Sequence, residues 1–155
     1  MMAPFVPDDF EPPAGLELAR MRLEPLGPQH NERDHAAWMS SIEHIHATPG
    51  FEGGFDSEDP WPQPMTLEQN LADLEGHAAD FQARRGFTYS VLDPAGDDVL
   101  GCVYIYPSKG SDHDARVHSW VRASHPELDA PLWKAVSDWL TRDWPFQQIA
   151  YDPRA

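Results

Sequence analysis

One stretch, from Ala115 to Leu140, constrains the fold most strongly. It reads ARVHSWV for a predicted strand, RASHPELD for a connection and APLWKAVSDWL for a predicted helix. The first N–H groups of a helix have no backbone partners and lie at the positive end of the helix dipole. A strand that leads into a helix can therefore hold an anionic ligand where the helix begins. We take this junction as the first candidate site.

Composition indicates a globular chain and limits its partners. The 155 residues suit one domain, and 41% hydrophobic with 24% charged residues are ordinary values for a folded protein. The net charge is −15, with only 11 Lys and Arg residues. That balance argues against nucleic acid and anionic membrane surfaces as partners, because both are bound through cationic side chains. It does not exclude small ligands of either charge, because charged groups at a binding site can outweigh the electrostatic field of the rest of the protein.

A single cysteine, Cys102, limits covalent and metal chemistry. One thiol cannot form a disulfide within the chain or a zinc site built on cysteines, and we predict no metal. Its apolar surroundings favour a buried, inert thiol. No apolar run is long enough for a transmembrane helix, and the first residues lack the pattern of a signal peptide, so we predict a cytoplasmic protein.

The predicted elements occur in the order β-α-α-β-β-β-α-β. Residues 1–15 carry four prolines and predict an extended arm, and residues 16–155 predict one domain. The strands are expected over 20–25, 87–93, 99–106, 115–121 and 147–151, and the first two helices over 32–46 and 66–85. The second and third strands flank PAGDD and predict an antiparallel hairpin.

Specific residues are expected to begin and end the helices. Asn31 is the predicted N-cap of the first helix, and Thr66 with Gln69 forms a predicted capping box on the second. Gly86 is expected to close that second helix, and Asp129 to N-cap the third. Between the first two helices, residues 48–64 form a loop rich in Gly, Pro and aromatic residues. Loops of this length are often functional, but we favour a strap whose aromatic side chains cover the core.

This order, with these residues, resembles the GCN5-related N-acetyltransferase superfamily. RMRLEPLGPQH is similar to its first strand and following turn, and FTYSVLDPAGDDVLGCVYIYP to its central hairpin. ARVHSWVRASHPELDAPLWKAVSDWL and QQIAY fall where that family places its acyl-CoA strand, loop and helix and its next strand. The resemblance covers about residues 20–151. It implies a single-domain α/β fold with a mixed, largely antiparallel sheet of about five strands and helices on both faces.

The resemblance also implies a site for acetyl-CoA as co-substrate. The backbone of residues 118–122 would face the pantetheine arm, and residues 124–129 would hold the pyrophosphate. The implied cofactor-binding residues are Ser119, Trp120, Val121, Arg122, His125 and Ala130. The sequence departs from the family in SHPELD, which has no glycine and carries Glu127 and Asp129. Like charges beside a pyrophosphate would weaken its binding.

Three residues are the catalytic candidates that the resemblance implies. His118 would be the general base, because histidine titrates near neutral pH, and Tyr104 and Tyr106 would act as acid or as the wall of the acceptor site. Each also has an ordinary structural interpretation, a half-exposed strand histidine and two sheet-packing tyrosines. The family continues beyond the strand matched by QQIAY, so we expect either an open cleft or one completed by a second copy in a homodimer.

Two functions remain open at this point. The first is an acetyl-CoA-dependent N-acetyltransferase that acts on a small-molecule or peptide amine. The acidic surface would tolerate a cationic amine better than an anion. The alternative is a non-catalytic binding domain of the same fold that has lost the pyrophosphate loop.

Overall fold

Six strands form one sheet in the computed structural model, which describes residues 4–51, 61–108 and 112–154. They lie side by side in chain order: β1 (Leu16–Glu17), β2 (Arg22–Pro25), β3 (Phe87–Leu92), β4 (Val99–Pro107), β5 (Ala115–Val121) and β6 (Ile149–Tyr151). All neighbours are antiparallel except β5 and β6, which are parallel. The mixed α/β fold and the hairpin are thus confirmed. The strand that the sequence did not predict is β1, a two-residue pairing at the sheet edge.

The helices are α1 (Asn31–Met39), α2 (Ile42–His46), α3 (Leu67–Gln82) and α4 (Asp129–Asp143). The single helix predicted over 32–46 is wrong, because the chain breaks between α1 and α2. The hydroxyls of Ser40 and Ser41 both donate to the carbonyl of Ala37, at 2.9 and 2.8 Å. Side chains that bond to nearby carbonyls in this way offer the backbone an alternative to the helix.

The helix caps are partly as predicted. Gln69 N donates to Thr66 Oγ1 at 3.1 Å and Thr66 N to Gln69 Oε1 at 2.9 Å, which confirms the capping box. Asn31 and Asp129 are wrong as N-caps: each is the first residue of its helix. A short 3₁₀ turn, Pro28–His30 or Pro126–Leu128, runs directly into each helix and moves its start.

Gly86 does not close α3 as predicted. Arg84 takes the left-handed position there, with φ of 63°. The reason for a glycine at 86 is instead the ring of Tyr106, since a Cβ would overlap with its Cε2 atom. Gly86 therefore lets the Tyr106 ring lie against the backbone.

The two faces of the sheet have separate cores. On one face α4 packs with the arm, whose Val6 is buried and whose Pro13 carbonyl accepts from the Tyr89 hydroxyl at 2.6 Å. On the other face α1, α2 and α3 pack over β4 and β5, and Phe51 is fully buried among them. Helices on both faces are as predicted. In the described ranges no helix is long and apolar enough to cross a membrane.

Candidate functional site

The parallel strands β5 and β6 separate soon after they meet. They pair only from Ala115 opposite Ile149 to Val117 opposite Tyr151. Beyond that point β5 continues to Val121 while β6 has ended. Unpaired backbone groups on a buried strand need other partners. This is the gap in which the family resemblance implied the pantetheine arm.

A side chain of the protein itself occupies this gap. The Arg154 guanidinium donates to the backbone carbonyl of Ser119 at 2.7 Å and to Asp129 Oδ2 at 2.9 Å. Its side chain is only 4% exposed. The Tyr151 ring lies under it, with 5.8 Å from the guanidinium carbon to the ring centroid, and the Tyr151 hydroxyl is hydrogen-bonded to Ser119 Oγ.

Two carboxylates lie at the start of α4, and each is paired with an arginine: Glu127 with Arg20 at 3.5 Å and Asp129 with Arg154 at 2.9 Å. Glu127 and Asp129 lie there, beside Ala130, on a groove of about 500 Å³ that Arg154 also lines. His125 lies 3.5 Å from the Glu127 carboxylate. The Arg122 guanidinium is directed elsewhere and donates to the Val99 carbonyl at 3.3 Å.

Two features of this arrangement oppose the binding of acyl-CoA. The Ser119 carbonyl that a pantetheine amide would meet already accepts from Arg154. Phosphates at the helix start would lie beside two carboxylates, and like charges repel. Of the predicted cofactor residues, Trp120 lies on the α1–α3 face, and Ser119 and Val121 lie on the face covered by α4.

His118 lies directly opposite Tyr104 in the register of β4 and β5. The Phe51 ring covers it, with 5.4 Å between ring centroids. Burial, with the positive charge of Arg116, lowers the pKa of His118 to about 4. The imidazole is therefore neutral at pH 7, and such a low pKa makes it a weak base for a proton held by an ammonium group.

The two tyrosines have partners within the fold. The Tyr104 hydroxyl accepts from Trp120 Nε1 at 3.0 Å, and burial raises its pKa well above the usual value. The Tyr106 hydroxyl donates to Asp80 Oδ2 at 2.8 Å and lies 2.8 Å from His77 Nδ1. Burial and the Asp80 carboxylate raise the pKa of Tyr106 as well.

A pocket that the sequence analysis missed lies between α1, α3 and β4. Its volume is about 80 Å³, enough for a handful of water molecules or a small ligand headgroup. It combines carboxylates with aromatic rings and is lined by Leu26, Asp34, Trp38, Trp61, Asn70, Asp73, Leu74, His77 and Tyr104. A signal was present in the sequence: the polar residues Asn70 and His77 stand four and three positions from Leu74, so helical periodicity places all three on one face of that helix.

Asp34 is the buried anionic group of this pocket. It is 4% exposed and accepts from Asn70 Nδ2 at 3.1 Å. Asn70 in turn accepts from Trp38 Nε1 at 3.1 Å and donates to Asn31 Oδ1 at 2.8 Å, which fixes its orientation. Burial raises the pKa of Asp34 to about 6, against an ordinary value of 3.8. A nearby cation would lower the free energy of the ionised form.

His118→Gln is expected to make stability less sensitive to acid. The folded-state pKa of His118 is about 4 and its ordinary value is 6.5, so the unfolded chain binds the proton more tightly. The contribution of neutral His118 to the free energy of unfolding is full above pH 6.5 and is lost as the pH falls to 4. The loss is about 2 kcal/mol after allowance for solvent screening. Thermal melting from pH 4 to 8 measures it. The exposed His125→Gln variant is the control, and equal slopes for the two variants would contradict the assignment.

Solved structures place the fold in a known class, although no protein-family model and no curated protein matches the sequence. A ribosomal-protein-S5-alanine acetyltransferase from Vibrio fischeri superposes with a TM-score of 0.64 at 14% identity, over 90% of this chain and 73% of that one. A GNAT-family acetyltransferase from Bordetella pertussis gives 0.62 at 18%, over 90% and 77%. The microcin C7 self-immunity acetyltransferase MccE, solved with acetyl-CoA and AMP, gives 0.61 at 13%, over 84% and 66%.

These similarities show the fold of the chain. It is that of the GCN5-related N-acetyltransferase superfamily, as the sequence predicted. Within 4–51, 61–108 and 112–154, no group of three or more His, Cys, Asp or Glu residues is placed to hold a metal ion.

Proposed function

We propose that this protein is an acetyltransferase-fold domain that binds an amine, as its ammonium ion, in the pocket between α1, α3 and β4. The observation that carries the proposal is the lining of that pocket. The carboxylates of Asp34 and Asp73 lie there with the rings of Trp38, Trp61 and Tyr104. An ammonium group is attracted by carboxylates through charge and by aromatic faces through their quadrupole.

The same lining disfavours anions. Neither Lys nor Arg is among the described residues around the pocket, and the whole chain carries a net charge of −15. The Trp38 and Trp61 rings are 5.4 Å apart between centroids and tilted by 55°, so they form two walls of different direction. With about 80 Å³ available, the pocket suits the end of a short aliphatic amine or of an amine-bearing side chain.

Titration of ¹⁵N-labelled protein with ethylammonium chloride tests the proposal. The expected result is a saturable shift of the Trp38 indole N–H signal, because that group donates to Asn70 inside the pocket. The best small ligands gain about 1.5 kcal/mol per non-hydrogen atom, so a three-atom probe should bind with a Kd of about 1 mM or weaker.

Ethanol and acetate are the matched probes, one neutral and one anionic, at the same salt concentration. Neither should shift the Trp38 signal in a saturable way. An equal response to ethanol would mean that the pocket does not select for positive charge and would contradict the proposal. No response to ethylammonium at 50 mM would contradict the proposal.

N-acetyl transfer from acetyl-CoA to an amine is the second candidate function. The early separation of β5 and β6 favours it, and the occupation of the gap by Arg154 counts against it. Release of free thiol from acetyl-CoA in the presence of ethylamine and short peptides would support transfer. If transfer occurs, His118→Ala tests the predicted base, and a rate that falls no further than stability does would agree with its low pKa and remove His118 from the reaction. The homodimer and the peptide amine both stay predictions.

A further inference from the structure

We infer that residues 152–154 act as a latch that fills an acyl-carrier groove between β5 and β6. In the latched state the groove admits no pantetheine. With the latch removed it would take a neutral, extended chain with secondary amides, as in pantetheine. This inference concerns a different part of the molecule from the amine pocket and does not depend on it.

The latch is held at two points. Arg154 donates to Ser119 O, to Asp129 Oδ2 and to the carbonyl of Asp152. Two residues earlier, Asp152 accepts from Arg116 on β5, at 3.2 and 3.4 Å. The segment therefore crosses from the side chains of β5 to the start of α4.

The Ser119 carbonyl, which accepts from Arg154, indicates what kind of ligand group the Arg154 guanidinium replaces. Ser119 lies opposite Val103 of β4, but on its other side β6 has already ended, so a carbonyl on that side needs a donor from elsewhere. A guanidinium N–H supplies one here at 2.7 Å. The amide N–H of a pantetheine chain is a donor of the same kind without the charge. Either group satisfies Ser119, and both cannot do so from the same side.

Once Arg154 is replaced, the charge of the nearby side chains determines whether pantetheine or CoA binds better. Asp129 would lose its cationic partner, and Glu127, which Arg20 contacts at 3.5 Å, lies close by on the surface groove at the start of α4. Within the described residues, Asp129 Oδ1 is buried and already lacks a hydrogen-bond donor. The unlatched groove should therefore bind pantetheine better than CoA, whose phosphates would lie beside these carboxylates.

The test is Arg154→Ala, titrated with pantetheine and with CoA and followed by amide signals of β5 and the first turn of α4. The parent protein should show no saturable shift with either ligand at 5 mM. Arg154→Ala should bind pantetheine at least tenfold more tightly than the parent and more tightly than it binds CoA. Adding Asp129→Asn should strengthen CoA binding at least tenfold further, because one of the two carboxylates is neutralised.

Arg142→Ala is the matched control. It removes one cation from an exposed pair at the end of α4, where Arg142 contacts Asp143, and should leave both ligands unbound. The ethylammonium shift of Trp38 should persist in Arg154→Ala, so failure of the latch and failure of the amine pocket are separate results.

Three results would overturn the latch. They are a folded Arg154→Ala protein that ignores pantetheine, a parent protein that binds CoA at micromolar concentration, and fast water exchange of the Arg154 Nε–H in the parent. The last needs no substitution, because a proton donated to Asp129 by a side chain only 4% exposed should exchange slowly. If Arg154→Ala does not fold, Arg154→Met keeps the apolar stem and removes the donors, and it should bind pantetheine likewise.

Discussion

Asp34→Asn is expected to make the protein more stable and, at the same time, to abolish ethylammonium binding. Burial raises the pKa of Asp34 from 3.8 to about 6, so its ionised form is unfavourable in the folded protein. A difference of about two pKa units corresponds to about 3 kcal/mol at pH 7. An asparagine keeps an oxygen that can accept from Asn70 Nδ2 and removes the charge. The lost charge is the one that we assign to the ammonium ion.

The stability that Asp34→Asn gains over the parent protein should increase with pH. The folded state holds the Asp34 proton more tightly than the unfolded chain does, so ionisation costs stability as the pH rises through 4 to 6. The advantage of Asp34→Asn should be full at pH 7 and above and should disappear near pH 4. Melting temperatures of the two proteins over that range measure it. The opposite trend expected from His118 is common to both proteins and cancels in the difference.

The control for Asp34 is Asp138→Asn. It removes the same charge from an exposed i,i+4 pair with Lys134 on α4, and its effect on stability should be below about 0.5 kcal/mol. It should also leave ethylammonium binding unchanged. A destabilised Asp34→Asn protein would mean that the carboxylate is a structural group. A stabilised one that still binds ethylammonium would place the cation elsewhere.

Gly101→Ala is expected to destabilise the protein by about 3 kcal/mol or more. A Cβ at this position of β4 would overlap with the carbonyl oxygen of Trp120 and would lie 3.1 Å from Cα of Val121. Both are backbone atoms of β5, so they cannot move without separating the two central strands. Chemical denaturation measures the loss, and we expect the damage at the section of β5 that borders the latch.

Gly76→Ala is the matched control for Gly101→Ala. Gly76 lies in α3, and a Cβ added there would meet no described atom within 4 Å beyond its own stretch of helix. Alanine has the higher helix propensity, and the variant should gain up to about 1 kcal/mol. Equal effects of the two substitutions, in either direction, would contradict the packing described for β4 and β5.

Patterns local in sequence were sufficient for most of the fold. The hairpin of β3 and β4, the strand from Ala115 to Val121 and the Thr66 capping box depend on neighbouring residues and are as predicted. The break after α1 was missed because Ser40 and Ser41 were counted as ordinary helical residues. The reason for Gly86 was missed because its partner, Tyr106, is 20 positions away in the chain.

The candidate site depends on contacts that sequence patterns do not report. Asp34 and Asn70 are 36 residues apart, and Arg154 and Ser119 are 35 apart. SHPELD indicated that two carboxylates and no glycine would lie at the start of α4. Nothing local indicated that Arg154 would neutralise Asp129 there. His118 was correctly placed on β5, but its burial under Phe51, which lowers its pKa, comes from the loop that follows α2.

A crystal structure grown with both ethylammonium and acetyl-CoA would test the central claim most directly. We predict electron density for the amine between Trp38, Trp61 and Tyr104, with Arg154 still bonded to the Ser119 carbonyl. Density for acetyl-CoA between β5 and β6, with Arg154 displaced and the amine pocket empty, would contradict this prediction.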